Sequence, residues 1–149
     1  MEYELDDLDH GIIKHLSEDG RLSFTDLSKC LNVTEKTIRL RYKNLKDKEI
    51  LDIVGIVNPI AVGLKTGAII LMKVKPKMLQ AAIEELKKIV LIRYITVISG
   101  EYPLLVQITV KSQDKITEVV YAINEIEEIT EVKTLIQLEL HKNTFEYIR

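Results

Sequence analysis

The chain has 149 residues, of which 46% are hydrophobic and 30% charged, and its formal net charge is −2. This composition excludes an intrinsically disordered chain. No apolar run reaches the roughly 18 residues that a membrane span needs, so we expect no membrane span. The acidic start lacks the apolar segment of a signal peptide, so we expect no signal peptide. With one cysteine, Cys30, and three histidines, we expect no disulfide, no metal and no cofactor, a cytoplasmic protein, and Cys30 as a small buried side chain.

Caps and apolar spacing predict the first two helices. Asp6 or Asp7 caps the first helix, whose buried face is formed by Leu8, Ile12, Ile13 and Leu16. Ser23 and Asp26 have the spacing of a capping box, which opens a short second helix. A turn at Asn32 and Val33 then leads to a third helix.

The third helix, capped by Thr34, is predicted to bury one face. At 100° per residue, Tyr42 and Leu45 lie within about 40° of Ile38, so these three side chains face the core. The opposite face is cationic. It is formed by Lys36, Leu40 and Lys43, with Thr37 and Arg39 on its flanks.

The charge distribution makes this outward face a candidate surface for double-stranded DNA. Residues 29–48 carry seven basic side chains and two acidic ones, a local basic stripe on a mildly acidic chain. Two helices joined by a short turn, the second of them basic, are typical of a helix-turn-helix. A solvated helix face with no partner is the alternative interpretation.

The candidate DNA contacts divide by chemistry. Ser23 is one candidate contact. Phosphate contacts are expected near the positive end of the helix dipole and from cations, namely Thr34, Lys36, Thr37, Arg39, Arg41 and Lys43. Base-edge contacts are expected from Thr37, Arg39 and Leu40, the last against a thymine methyl group. Arg41 lies near the edge of the core face, so it reaches a phosphate or pairs with an acid of the first helix.

The segment after the third helix is predicted to connect two domains. Ile50–Val54 is expected to pack back as a short extended piece. Residues 55–63 combine an apolar run with Asn58-Pro59 and end at Gly63, which predicts a strand-like hinge. The expected organisation is therefore a DNA-binding domain at 1–54, a linker strand at 55–63 and a second domain at 64–149.

The second domain is predicted to contain four strands and two helices. The strands are expected at 66–75, 91–99, 104–111 and 132–141, and the helices at 78–89 and from Ser112 or Asp114 to Ile126. This βαββαβ order is the ferredoxin-like unit, an antiparallel sheet with both helices on one face. The fold class is therefore α+β, with a winged or three-helix helix-turn-helix domain before the ferredoxin-like domain.

The face of this sheet away from the helices is predicted to be covered by a second copy of the chain. The runs Ile69–Met72 and Leu104–Val106 are apolar with little alternation, so both faces of the sheet carry apolar side chains. We therefore expect a homodimer built through this domain. A two-fold dimer would place two DNA-reading helices roughly 34 Å apart.

The pattern as a whole resembles the Lrp/AsnC family of feast/famine transcription regulators, and the resemblance covers essentially the whole chain. The matching residues are Leu8-Asp9 with Ile12, Ile13 and Leu16; Gly20-Arg21-Leu22-Ser23; Leu27, Leu31, Thr34, Ile38, Arg39, Arg41 and Leu45; Asn58-Pro59 with Gly63; and Gly100 with Leu104-Leu105. The resemblance implies a DNA-binding regulator. It also implies dimers that often form octamers, with an amino acid effector bound between effector domains.

Two departures from the family pattern affect this expected effector site. The family turn usually reads Gly-x-x-Asp, but Pro103 stands at the Asp position, and Glu131-Val132 replaces a Gly-Val pair. The missing carboxylate would have suited an α-amino group through a charge-assisted bond. The remaining candidates for a small-molecule effector are Ser99, Gly100, Glu101, Tyr102 and Thr134. Alternatively, the turn only closes a hairpin.

Two other functions stay open beside the amino acid sensor. In the first alternative, the chain is a non-sensing family member that joins mixed oligomers. The changed turn and the apolar sheet fit this alternative. Alternatively, it resembles the siroheme decarboxylases of this architecture, for which the second domain offers only Arg93, Tyr94 and His141. The pattern favours a regulator and not an enzyme.

Overall fold

The computed structural model describes residues 3–142, which form two compact units. The first unit ends at Ile56 and the second comprises Val57–Lys142. The first contains α1 (Asp7–Glu18), α2 (Phe24–Cys30) and α3 (Glu35–Asp47). All three helices begin at the predicted caps. Asp6, Ser23 and Thr34 each accept a hydrogen bond from a backbone N–H of the first turn, which satisfies a donor that the helix itself leaves unpaired.

The core of the first unit confirms the predicted helix faces. The buried residues include Ile12, Ile13 and Leu16 of α1, Leu27 of α2, and Ile38 and Leu45 of α3. Tyr42 is half-buried and packs against this cluster. The prediction of a buried Cys30 is wrong. Its thiol is exposed, because Leu27 is the residue that α2 turns toward the core.

The prediction of a linker strand is also wrong for the described residues. Leu51 packs on the core of the first unit, but between α3 and Thr66 the described backbone forms no strand and no hairpin wing. Asn58 explains part of the difference. Its side-chain oxygen accepts from the N–H groups of Ile60 and Ala61, and Leu64 N–H donates to the carbonyl of Pro59. An Asn-Pro pair therefore closes a local turn here.

The second unit has the predicted βαββαβ order. Its elements are β1 (Thr66–Val74), α4 (Leu79–Lys87), β2 (Ile92–Val97), β3 (Leu104–Val110), α5 (Gln113–Asn124) and β4 (Ile129–Gln137). The strands form one antiparallel sheet in the order β2-β3-β1-β4. The last strand begins three residues earlier and ends four residues earlier than predicted. Its alternation extends to Leu138 and Leu140, but these residues are exposed and have no partner in the sheet register.

One face of the sheet forms the core of the second unit. Ala68, Ile70 and Met72 of β1 are buried and alternate with half-buried residues. Alternate residues of β3 are buried in the same way, and Leu86, Val119 and Ile123 complete the cluster from the two helices. The predicted packing of both helices on one face is thus confirmed.

The other face of the sheet is apolar at its centre and polar along one row. Leu71 pairs with Leu105 in the strand register, and Ile69 lies beside Leu135. Gln137 crosses β1 at Gly67 and accepts a hydrogen bond from Gln107 at 3.3 Å. A Cβ atom on residue 67 would lie 2.5 Å from the Gln137 side-chain oxygen, so a side chain here would displace that oxygen from the crossing.

No helix in the part of the chain that the structure describes is long and apolar enough to cross a membrane.

Candidate nucleic-acid interface

The outward face of α3, formed by Lys36, Leu40 and Lys43, is exposed as the helix geometry predicts. Leu40 is 60% exposed, whereas Ile38, two residues earlier, is fully buried. Both lysines of the face are exposed. Within residues 3–142, the ion pairs of α3 involve Arg39 and Arg41 and neither of these lysines. The outward face therefore carries two cations that are not neutralised by the described part of the chain.

Arg39 lies on the flank of this face and is held by contacts to two helices. Its Nη2 atom lies 2.6 Å from Oε1 of Glu35, one turn earlier, and its guanidinium carbon lies 5.1 Å from the centre of the Phe24 ring in α2. Thr25 donates a hydrogen bond of 2.9 Å to the other oxygen of Glu35. The hydrogen bond from Arg39, followed by that from Thr25, lowers the pKa of Glu35.

Arg41 pairs with acids of the first helix, which is one of the two alternatives given for it. Its Nη1 atom lies 2.8 Å from the Asp6 carboxylate and 3.2 Å from that of Asp9. Asp9 is fully buried and also accepts a hydrogen bond from the Tyr3 hydroxyl. Of the two alternatives for Arg41, the structure therefore favours pairing with acids at the start of α1, because a buried carboxylate needs a compensating charge.

Two hydroxyl groups of the candidate set, those of Ser23 and Thr34, serve as helix caps. Ser23 accepts from the backbone of Asp26 at 3.0 Å and donates to its carboxylate at 2.6 Å. Thr34 accepts from the backbone of Thr37 at 3.2 Å, and the two threonine hydroxyl groups lie 2.8 Å apart. These contacts explain why α2 and α3 begin where they do, and they leave the hydroxyl oxygens at two exposed helix starts.

The candidate effector turn of the second unit is occupied by a charged cluster that sequence reasoning missed. Lys73 of β1 lies 2.8 Å from Glu101 and 2.9 Å from Glu131, and its ammonium group lies 4.8 Å from the centre of the Tyr102 ring. The Tyr102 hydroxyl donates to Glu131. Glu101, followed by Glu131, raises the pKa of Lys73, while Lys73 and then Tyr102 lower the pKa of Glu131.

The structure brings some of the candidate effector residues together and separates one of them. Glu101 and Tyr102 belong to the charged cluster, and Ser99 and Gly100 lie in the same exposed turn, where Gly100 has a φ of +117°. Thr134 does not join them. It pairs with Ile70, whose side chain is buried beneath the helices, so Thr134 lies on the opposite face of the sheet from Lys73 and Glu131. The expectation that Thr134 contributes to this turn is corrected.

The residues missed at the turn could be found only with the strand register. Lys73 and Glu131 are 58 residues apart in sequence but are direct partners in the β1–β4 ladder. In the first unit, the spacing of four between Glu35 and Arg39 was visible in the sequence. Nothing in the sequence indicated that Thr25 and Phe24 would converge on the same pair.

The residues named for a tetrapyrrole enzyme do not form a common site among the described residues. Arg93 donates to the side chain of Gln107, and Tyr94 is exposed on β2, at one edge of the sheet. His141 follows β4, the strand at the other edge, and lies 3.0 Å from Glu139. In residues 3–142, no group of three His, Cys, Asp or Glu side chains is arranged to hold a metal ion.

Comparison with known proteins gives two family matches, one for each unit. Residues 5–46 match the AsnC-type helix-turn-helix domain, and residues 67–147 match the Lrp/AsnC ligand binding domain. The HTH-type transcriptional regulator FL11 of Pyrococcus furiosus is 32% identical over 143 residues, which cover 95% of this chain and 95% of that protein.

Solved structures give the same result at the level of the fold. The structure of E. coli AsnC has a TM-score of 0.85 and 27% identity, covering 95% of this chain and 98% of that one. The transcriptional regulator NMB0573 of Neisseria meningitidis, solved as an L-Met complex, has a TM-score of 0.83 and 22% identity, with 95% of both chains covered. At this lower identity the second likeness shows the fold alone.

Proposed function

Because this chain belongs to the Lrp/AsnC family of HTH-type transcriptional regulators, as its sequence pattern predicted, we propose that the outward face of α3 is the surface that binds double-stranded DNA. One observation carries the proposal. Lys36 and Lys43 are exposed without a carboxylate partner in the described chain, and Leu40 lies exposed between them. An unneutralised basic stripe on a helix-turn-helix is suited to the phosphates beside a major groove.

In this proposal the residues of α3 have three different roles. Lys36 and Lys43 neutralise phosphates, and the exposed starts of α2 and α3 at Ser23 and Thr34 are further candidates for contact with the DNA backbone. Thr37, Arg39 and Leu40 contact base edges, because they flank or lie on the outward face. Arg41 orients α3 from within the unit through the contacts to Asp6 and Asp9.

Removal of the two lysine charges tests this assignment. A randomised duplex pool first gives the preferred DNA site, and the affinity of Lys36→Ala/Lys43→Ala is then measured over a series of salt concentrations. Each lost phosphate contact should reduce the slope of log K against log salt by about 0.9. Lys14→Ala, an exposed lysine of α1, is the matched control. Unchanged slope and affinity in the double variant would show that another surface binds DNA.

We also propose that the chain forms a homodimer through the face of the sheet that carries Ile69, Leu71 and Leu105. The proposal is supported by the apolar centre of this face. A sheet with apolar side chains on both faces normally has a layer packed against each face. A two-fold dimer of this kind would present two copies of α3 to one duplex. The same face would serve a mixed oligomer with another family member.

Sedimentation velocity of a charged variant tests the dimer. Leu71→Glu places a carboxylate at the centre of the face and should yield a monomer. Tyr121→Glu, which changes an exposed residue of α5 on the other side of the sheet, should keep the oligomeric state of the wild type. Dimers in Leu71→Glu at micromolar concentration would exclude this face as the interface.

A third proposal concerns a small-molecule effector at the exposed turn that contains Ser99 and Gly100. The backbone groups of this turn could hold a ligand, but Lys73 already holds the carboxylates of Glu101 and Glu131. This observation favours the non-sensing alternative over an amino acid whose α-ammonium group needs a carboxylate. Calorimetric titration with the twenty amino acids, followed by gel shifts, separates the two. Heat at micromolar ligand together with altered DNA affinity would support a sensor.

A further inference from the structure

The ion pair between Glu35 and Arg39 in the first turns of α3 contributes little to stability by itself, although Glu35 suits the start of a helix. Both side chains are more than a third exposed, at 43% and 63%, and exposed ion pairs one helical turn apart contribute little to folding. Glu35 also places a negative charge on the helix that is proposed to approach phosphates. If α3 binds DNA as proposed, a carboxylate at this position is expected to lower the affinity for any duplex.

The surroundings of Arg39 are more elaborate than a simple surface pair requires. Glu35 receives Arg39 on one oxygen and Thr25 on the other, so its carboxylate is fixed between α2 and α3. The guanidinium lies against the Phe24 ring, and Phe24 in turn packs on Tyr42 at 5.1 Å between ring centres. Three side chains from two helices therefore fix the orientation of one exposed arginine.

We propose that Glu35 is a positioning residue that holds Arg39 in a single orientation, so that the pair reads one guanine-containing base pair in each half-site. This inference rests on the proposed function of α3. Glu35 occupies an N–H group of Nη2, which leaves other donors of the guanidinium exposed for the O6 and N7 atoms of guanine. An arginine that is already ordered loses less rotamer freedom when it binds, and it cannot turn freely toward the nearest phosphate.

Selection from a randomised duplex pool by the full chain tests the inference. Glu35→Gln keeps the side-chain shape but removes the charge, and Arg39→Lys keeps the charge but removes the planar fork. We expect both variants to lose preference at the same base pair of each half-site, by about tenfold, while the other positions keep theirs. Glu35→Gln should also bind a non-specific duplex more tightly than the wild type. Glu18→Gln, the same charge change at an exposed site, is the matched control.

A structural role alone predicts a different result. If Glu35 serves only the start of α3, Glu35→Gln lowers the unfolding temperature and leaves every base preference unchanged, which would overturn the inference. Loss of preference at different base pairs in the two variants would overturn it as well. If Glu35→Gln does not fold, Thr25→Val removes one anchor of the carboxylate and should weaken the same base preference as Arg39→Lys.

The experiment separates this inference from the proposed function. If Lys36→Ala/Lys43→Ala binds as tightly as the wild type, the assignment of the outward face fails. If that double variant loses affinity but Glu35→Gln selects the wild-type site, the face is correct and only the pairing of Glu35 with Arg39 is rejected. A wild-type chain that enriches no sequence rejects both.

Discussion

Five lysines of the second unit differ from the two lysines of the outward face of α3 in what neutralises them. In the second unit Lys73, Lys75, Lys87, Lys88 and Lys115 each lie within 3.3 Å of a glutamate oxygen. On α3 the two lysines of the outward face have no such partner in the described residues. Lysine thus forms internal pairs at these five positions of the second unit and an unpaired cationic face on α3. The proposal for α3 therefore rests on the cations grouped on one helix face, and not on the net charge of −2.

The largest expected effect comes from giving the α3 lysines a carboxylate partner. In Leu40→Glu the new side chain lies one turn from both Lys36 and Lys43. The lysines of the outward face would then have a glutamate partner, as the five paired lysines of the second unit do. We expect DNA affinity to fall about 100-fold at 0.1 M salt, because the added carboxylate offsets one of the two positive charges of the face and competes with the phosphates for both lysines. Leu40→Gln has a similar shape without charge. Equal affinities for the two variants would contradict the comparison.

The next effect contrasts the two arginines of α3. Arg41→Met leaves the buried carboxylate of Asp9 without its cation, which should reduce the free energy of unfolding by about 2 kcal/mol. Arg39→Met removes an exposed side chain and should leave the urea midpoint almost unchanged. Urea unfolding followed by circular dichroism measures both variants. A larger loss in Arg39→Met than in Arg41→Met would contradict the assignment of Arg41 to an internal role.

A smaller effect is expected when a paired lysine is removed from the second unit. Lys73→Met removes the ammonium group that pairs with the carboxylates of Glu101 and Glu131. The urea midpoint should fall only slightly, because both carboxylates are exposed and salt screens their attraction to the lysine. Lys73→Met should leave the affinity for DNA and its salt slope unchanged. Lys43→Met, measured in parallel, should reduce that slope and leave stability unchanged. If Lys73→Met alters the slope instead, pairing does not distinguish the two sets of lysines.

The smallest effect is a pH dependence at the charged cluster of the second unit. Lys73 and then Tyr102 hold the pKa of Glu131 below its ordinary value of 4.5. A carboxylate with a lowered pKa stabilises the folded chain above the ordinary value, and this contribution is lost as pH falls through the folded value. The urea midpoint should therefore decline below about pH 5. The decline should be shallower in Lys73→Met, and an identical decline in both proteins would show that other acids control it.

Two features of the first unit and its connection depend on interactions that are absent from the local pattern. Helix periodicity placed Arg41 at the edge of the core face, but the position of α1 decided that Asp6 and Asp9 would meet it. The pattern at 55–63 was apolar and extended, yet Asn58 folded part of it into a turn. In both cases a polar contact, and not hydrophobicity, decided the conformation.

The sequence by itself determined the helix faces, the caps at Asp6, Ser23 and Thr34, and the succession of strands and helices along the chain. Each of these depends on residues within a turn or two of one another. Only the tertiary structure decided that Lys73 meets Glu131 and that Thr134 lies on the helix side of the sheet. The register between distant strands fixes both, since a shift of one residue moves every side chain to the opposite face.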